Sequence, residues 1–116
     1  MKTKTIIIPE FEDCAFGLEC LPETMPIKGN ASAIDDETDA IIEKHIKADL
    51  VSGNQWAWCC VRVTCYHDAM LNGVSGVDYL GGCSYENEDD FIKHGGYWED
   101  MKRAAYANFV ANIEAL

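Results

Sequence analysis

The segment from Gln55 to Tyr66 constrains the fold more than any other part of the chain. It reads QWAWCCVRVTCY, and two chemically different sets of residues alternate along it. Successive side chains of a β-strand point to opposite faces of a sheet, so the alternation predicts a strand that packs beneath a helix. The face predicted to be buried comprises Ala57, Cys59, Val61, Val63 and Cys65. The face predicted to be partly exposed comprises Trp56, Trp58, Cys60, Arg62, Thr64 and Tyr66.

Further strands are predicted on both sides of this segment. Val77 to Tyr85 is expected to return antiparallel after a turn at Asn72-Gly73, with a bulge at Gly81-Gly82. Thr3 to Ile8 is rich in β-branched residues and predicts a short strand before Pro9. Phe11 to Leu21 predicts another strand, broken around Gly17.

Two longer helices and one short helical turn complete the predicted elements. Ile34 to Val51 is expected to be a helix, capped by Asp35 or Asp36. Glu88 to Lys93 predicts a short turn that Asn87 or Ser84 caps, and Tyr97 to Ala115 the final helix. The apolar face of the first helix is predicted to comprise Ile41, Ile42, His45, Ile46, Asp49 and Leu50. The apolar stripe of the last comprises Met101, Ala104, Ala105, Phe109 and Ile113.

These elements predict an α+β fold. We expect an antiparallel sheet of three to four strands with two helices packed on one face. No linker divides the chain, so residues 1–116 are expected to form a single domain.

The net charge is −11, from 20 acidic and 9 basic residues. Such a balance disfavours direct binding to nucleic acid or to an anionic membrane surface, both of which require Lys and Arg. It favours the basic surface of a partner protein, although acidity also serves solubility alone. No secretory signal is recognised near the N-terminus, so an intracellular, cytoplasmic protein is expected.

The six cysteines raise an alternative of thiol or metal chemistry. In an intracellular protein they are expected to be reduced thiols that pack as small apolar residues. A zinc site from Cys65, His67 and Cys83 lacks the usual ligand spacing, and a nucleophilic pair of Cys83 with His94 has nothing that marks it as activated. We therefore expect no metal, cofactor or catalytic residue, while a small Cys/His enzyme or zinc protein stays open as the alternative.

Three segments carry a resemblance to a known group of proteins. They are DYLGGCSY at residues 78–85, DDF at 89–91 and GYWEDM at 96–101. In these segments, and in its W-x-W-C strand, the chain resembles small acidic proteins of bacteriophages and other mobile elements, over residues 55–106. The resemblance implies an accessory protein in the host cytoplasm. From this setting we expect a protein that binds and inhibits a host defence or nucleic-acid-binding enzyme, as anti-CRISPR proteins do.

The expected contact surface lies in the acidic, aromatic stretch before the last helix. Carboxylates there match a basic partner, and aromatic side chains are frequent anchors at interfaces. A second acidic cluster comprises Asp35, Asp36, Glu37, Asp39 and Glu43. A homodimer, or a homo-oligomeric structural protein that exposes the face of Trp56 and Trp58, is a further alternative. The predicted partner-binding residues are Glu86, Glu88, Asp89, Asp90, Phe91, Tyr97, Trp98 and Asp100.

Overall fold

The computed structural model describes residues 7–70 and 72–116. Within them the chain forms three strands, three α-helices and two single turns of 3-10 helix, at Phe11–Asp13 and Gln55–Ala57. The strands and helices, in chain order, are β1 (Ala15–Pro22), α1 (Asp36–Val51), β2 (Cys59–Tyr66), β3 (Gly76–Cys83), α2 (Glu88–Lys93) and α3 (Tyr97–Glu114).

The strands form one antiparallel sheet in the order β1-β2-β3, which confirms the α+β prediction. The central strand β2 alternates as its sequence predicts. Its inner face, Cys59, Val61, Val63 and Cys65, is at most 1% exposed. The hydrophobic effect on this small apolar face is what fixes the register, because a slip by one residue would turn it to solvent.

Helix α3 covers the inner face of the sheet. Met101, Ala105, Phe109 and Ile113 recur every four residues, as one stripe of a helix does, and all four are buried against the inner face of β2. Ala104, predicted for the same stripe, is exposed. It lies one residue before Ala105, which turns it about 100° away from the core.

A close contact between backbones holds α3 against β3. Gly76 has no side chain, and a Cβ there would overlap backbone atoms of Ala105 and Phe109. On either side of this contact, Val77 N donates to Asn108 Oδ1 over 2.9 Å. Asn112 Nδ2 donates to Ser75 O over 2.8 Å. The glycine allows the approach, and the two hydrogen bonds fix the position of α3 along the strand.

Helix α1 lies apart from the main core. Its cap is Asp35, whose Oδ1 accepts from Thr38 N over 2.6 Å. Its buried residue Ile46 packs with Ala57 and Trp58 in a second, smaller cluster, so the short α2 rather than α1 joins α3 in the main core. His45 and Asp49, expected on the apolar face of α1, are exposed. The helix buries Asp39 and Ile46, with Ile42 half-buried between them, and this face is covered so narrowly that His45 and Asp49 at its edge stay exposed.

Trp56 and Trp58 do not lie on an exposed sheet face, contrary to the prediction. The strand begins only at Cys59, because residues Gln55–Ala57 form a 3-10 turn in which Asn54 Oδ1 accepts from Trp56 N over 3.1 Å. The turn sends Trp56 towards the main core and Trp58, 7% exposed, into the cluster beneath α1. The homo-oligomer alternative required both tryptophans on one exposed face of the sheet, and they do not form such a face.

The remaining predicted strand features have mixed outcomes. Opposite the step from Cys59 to Val61, β3 contains one extra residue, which confirms the bulge at Gly81-Gly82. β1 is continuous through Gly17, which pairs with Thr64, so the predicted break is wrong. The strand predicted at residues 3–8 falls mostly on residues 1–6, outside the described part of the chain, and residues 7 and 8 are not in a strand.

Candidate functional site: an acidic cleft

An open cleft of about 440 Å³ lies between the end of α1 and the connection from β3 to α2. We call it the acidic cleft. Three acidic residues line it, Asp49 from α1, Glu86 from the connection and Asp90 from α2. The lining residues are Asp49, Asn54, Ala57, Ser84, Tyr85, Glu86 and Asp90.

Asn54 brings Asp49 to this cleft. Its backbone N–H donates to Asp49 O over 3.0 Å as α1 ends, and Gly53 takes the positive φ of 102° that the turn requires. Its side chain then donates to Tyr85 O over 3.3 Å. Tyr85 N in turn donates to Trp56 O over 2.7 Å. Asn54 thus ties the end of α1 to the β3–α2 connection, and the backbone bond ties the following 3-10 turn to the same connection.

Hydrogen bonds within the connection hold the other wall. Asn87 caps α2, with Oδ1 accepting from Asp90 N over 2.9 Å. Asp90 Oδ2 accepts from Glu86 N over 2.9 Å, and Oδ1 lies 2.7 Å from His94 Nδ1. The hydrogen bond from Glu86 N, followed by the bond and charge of His94, lowers the pKa of Asp90. Asp90 is therefore a fixed carboxylate at neutral pH.

The charge of the cleft is unbalanced. Within the described part of the chain, no Lys or Arg lines it. Asp49 and Glu86 are exposed, and no ion pair is formed by either of them among residues 7–70 and 72–116. A Lys or Arg side chain entering from outside would face the exposed carboxylates of Asp49 and Glu86, and Arg in particular can bind a carboxylate through two parallel hydrogen bonds.

Phe91, predicted as a partner-binding anchor, is a core residue. Its side chain is 0% exposed, and its ring centroid lies 5.6 Å from that of Trp56 and 5.1 Å from that of Tyr85. Phe91 therefore has no surface to offer a partner. α2 has only 6 residues, and Phe91 is its buried residue. This ring therefore attaches the helix to the rest of the protein.

The other predicted acidic residues divide by their local pairing. Asp89 lies 3.1 Å from Lys93 in an exposed pair of the same helix, which contributes little binding energy of its own. Glu88 and Asp100 are exposed. Of the predicted set, the cleft brings together Glu86 and Asp90, and Asp49 is the functional candidate that sequence reasoning missed.

The two predicted aromatic anchors beside the cleft differ in exposure. Tyr97 is 45% exposed and lines a neighbouring hollow of about 150 Å³, which shares Ser84 and Tyr85 with the acidic cleft. Trp98 is half-buried, and Lys102 Nζ lies 4.9 Å from the centroid of its ring. Of these two, Tyr97 is the better placed to touch a molecule that binds in the cleft and extends beyond it.

Three of the five residues in the second acidic cluster, at the start of α1, are engaged in local contacts. Asp35 is the helix cap. Asp39, 6% exposed, accepts from the backbone N–H groups of Gly29, Ala31 and Ser32 over 2.7 to 3.0 Å. Glu43 pairs with Lys47 over 3.5 Å. The bonds to Asp39 fasten the loop before α1 to the helix. Asp36 and Glu37 are exposed, so this cluster offers less free charge than the sequence suggests.

The structure separates two of the candidate zinc ligands and shows no activation of the Cys83 thiol. Cys83 pairs with Cys59 at one end of the sheet, whereas Cys65 pairs with Gly76 at the other. Among the described residues no group of three or more His, Cys, Asp or Glu is arranged to hold a metal ion. Burial raises the pKa of Cys83 to about 11, and His94 contacts Asp90. A thiol with a raised pKa is a weak nucleophile at neutral pH.

No helix in the described part of the chain combines the length and the apolar character needed to cross a membrane. Comparison of the chain with family models, with curated proteins and with solved structures gives no match. The geometry of the acidic cleft is therefore the main guide to function.

Proposed function

We propose that this chain acts by binding another protein, and that the acidic cleft receives a basic side chain of that partner. One observation carries the proposal, namely the meeting of Asp49, Glu86 and Asp90 in a cleft that no Lys or Arg lines within the described residues. A cation from a partner would lie near these carboxylates, and its Coulomb attraction to them would favour binding.

The overall charge supports the same kind of partner. At −11 the chain attracts positively charged surfaces over a distance of about one Debye length, roughly 8 Å at physiological salt, and this attraction raises association rates. The exposed ring of Tyr97 adds apolar contact area next to the cleft, which a purely electrostatic contact would lack. Charge would set the rate and orientation of binding, and the tyrosine would slow dissociation.

The resemblance to small acidic proteins of phages and mobile elements supports a partner class. Enzymes that act on nucleic acid carry basic clefts for the phosphate backbone, and such a cleft is complementary to this chain. We propose an accessory protein that occupies a basic site of a host defence or nucleic-acid-binding enzyme and inhibits it.

Affinity capture from host lysate tests the proposal. We compare the natural chain with the variant Asp49→Asn, Glu86→Gln, which removes two exposed charges and no side-chain hydrogen bond seen among the described residues. The matched control is Glu12→Gln, Asp68→Asn, which changes net charge equally at the opposite end of the sheet. We expect the captured partner to be lost with the cleft variant and retained with the control. Equal capture by both variants would contradict the role of the cleft.

A further inference from the structure

The side of α1 that faces away from the protein carries an exposed ridge. Glu37, Ile41, Lys44, Ala48 and Val51 follow one another at intervals of four and three residues, so they line one side of the helix. All five are exposed, Ile41 by 54% and Val51 by 90%. Ile34, just before the helix, is 78% exposed. We call the five helix residues Glu37, Ile41, Lys44, Ala48 and Val51 the outer ridge.

The attachment of α1 to the rest of the protein is limited. Of its 16 residues only Asp39 and Ile46 are buried. Isolated helices of about this length are marginal in water, and helices in proteins owe most of their stability to packing. A second packing surface on the outer ridge would therefore stabilise α1 considerably.

The charges of α1 are divided along its length. Its first half contains Asp36, Glu37, Asp39 and Glu43, whereas the second half contains Lys44, His45 and Lys47 with one acid, Asp49. Within the described part of the chain, Glu37, Lys44 and His45 form no ion pair. Two copies of α1 that run antiparallel place acidic half against basic half and oppose their helix dipoles. A parallel pair would place like charges together.

We propose that the outer ridge binds a second copy of this chain as an antiparallel helix pair. With the two-fold axis between residues 42 and 43, Ile34 lies opposite Val51 of the second copy and Ile41 opposite Lys44 of the second copy. The stem of Lys44 then covers Ile41, and its ammonium group reaches Glu37 across the interface. Each of these contacts occurs twice, because the interface is symmetric.

The short ridge predicts a weak dimer. A helix of 16 residues is about 24 Å long, so one helix pair buries less than the roughly 1,600 Å² of a standard interface. Interfaces below that size are typical of weak, transient complexes, and we expect a dissociation constant on the order of 10–100 μM. Asp49 follows Ala48 and lies about 100° around the helix from it, so dimerisation leaves the acidic cleft accessible.

Sedimentation of the full chain from about 1 μM to about 1 mM tests the proposal, with a concentration-dependent dimer expected in the range above. Ile41→Asp is expected to raise the dissociation constant at least tenfold. Ile92→Asp, at another exposed isoleucine on α2, is the control and should leave it unchanged. Circular dichroism confirms that each variant is folded. A monomer at every concentration would overturn the proposal, as would an unchanged dimer in Ile41→Asp.

A charge exchange gives a second test that does not depend on apolar contacts. Each single variant, Glu37→Lys or Lys44→Glu, places like charges opposite each other at two symmetric positions. Each should raise the dissociation constant of the dimer at least tenfold. The double variant restores opposite charges and should return the dissociation constant to within about threefold of the natural value. Failure of the double variant to recover, with its fold intact, would overturn the proposed register. The proposal would also be overturned if Tyr79→Asp, a substitution on the sheet, disrupted the dimer and Ile41→Asp did not.

Discussion

The contact of α3 with β3 at Gly76 makes a specific prediction about stability. In Gly76→Ala the new Cβ would lie 2.6 Å from Phe109 Cα, and closer still to Phe109 N and Ala105 O. Ordinary contact begins at 3.4 Å. Backbone atoms cannot turn aside as a flexible side chain can, so α3 and β3 must move apart by about 1 Å at this point.

The expected loss of stability follows from three contributions. Overpacking of this kind costs about 1–3 kcal/mol. Displacing α3 also weakens the hydrogen bonds of Asn108 to Val77 and of Asn112 to Ser75, at about 1 kcal/mol each. Ala has less backbone entropy than Gly in the unfolded chain, and this difference raises the free energy of unfolding by about 0.4–1 kcal/mol. The net decrease in the free energy of unfolding is therefore about 2–4 kcal/mol.

Urea unfolding, followed by circular dichroism at 222 nm, measures this change. Gly17→Ala is the matched control, because it is the same substitution in the same sheet but meets only Tyr66 Cε1 at 4.0 Å. We expect the control to be neutral or slightly stabilising. A Gly76→Ala variant within about 0.5 kcal/mol of the natural chain would show that α3 does not touch β3 as described.

Three further predictions concern the core, the loop before α1 and the thiols. Phe91→Ala should lower the free energy of unfolding by about 3–5 kcal/mol, whereas exposed Ile92→Ala should change it by less than about 1 kcal/mol; equal effects would argue against the burial of Phe91. Three backbone hydrogen bonds, first among them that from Gly29 N, lower the pKa of Asp39, so the stability from its carboxylate is full above the usual carboxyl pKa and is lost as pH falls through the lowered value. Unfolding measured from pH 7 to pH 2 should therefore show Asp39→Asn less stable at neutral pH, with the difference shrinking in acid; a constant difference would contradict this. Burial raises the pKa values of the Cys59 and Cys83 thiols, so in the native chain at pH 8 a disulfide reagent should label both at least tenfold more slowly than in urea, and fast labelling of Cys83 would favour the enzyme alternative.

Local chemistry allowed much of the fold to be predicted from the sequence. The alternation of β2, the cap at Asp35, the α2 cap at Asn87 and the bulge at Gly82 each depend on neighbouring residues or on one pair of strands. The periodicity of α3 is similarly local. Such features can be recognised because a single period or a single side-chain bond determines them.

The features that could not be predicted depend on contacts far apart in sequence. Phe91 lies among carboxylates and looks exposed, but it is buried because α2 folds back onto Trp56 and Tyr85. Asp49 reaches the acidic cleft only because Asn54 binds the connection after β3. No signal near either residue reports such a contact. The aromatic Trp56 likewise fits a strand by propensity, although Asn54 turns it out of the strand.

The affinity of the captured partner tests the central claim most directly. For the purified partner, isothermal titration calorimetry at physiological salt gives dissociation constants for the natural chain, for Asp49→Asn, Glu86→Gln and for the control Glu12→Gln, Asp68→Asn. We predict an increase of at least about tenfold for the cleft variant, since close charge pairs across interfaces contribute about 1.5 kcal/mol or more. The control should stay within about twofold, because charges farther away than the Debye length are screened. Equal affinities for the two variants would contradict the proposal that the acidic cleft is the binding site.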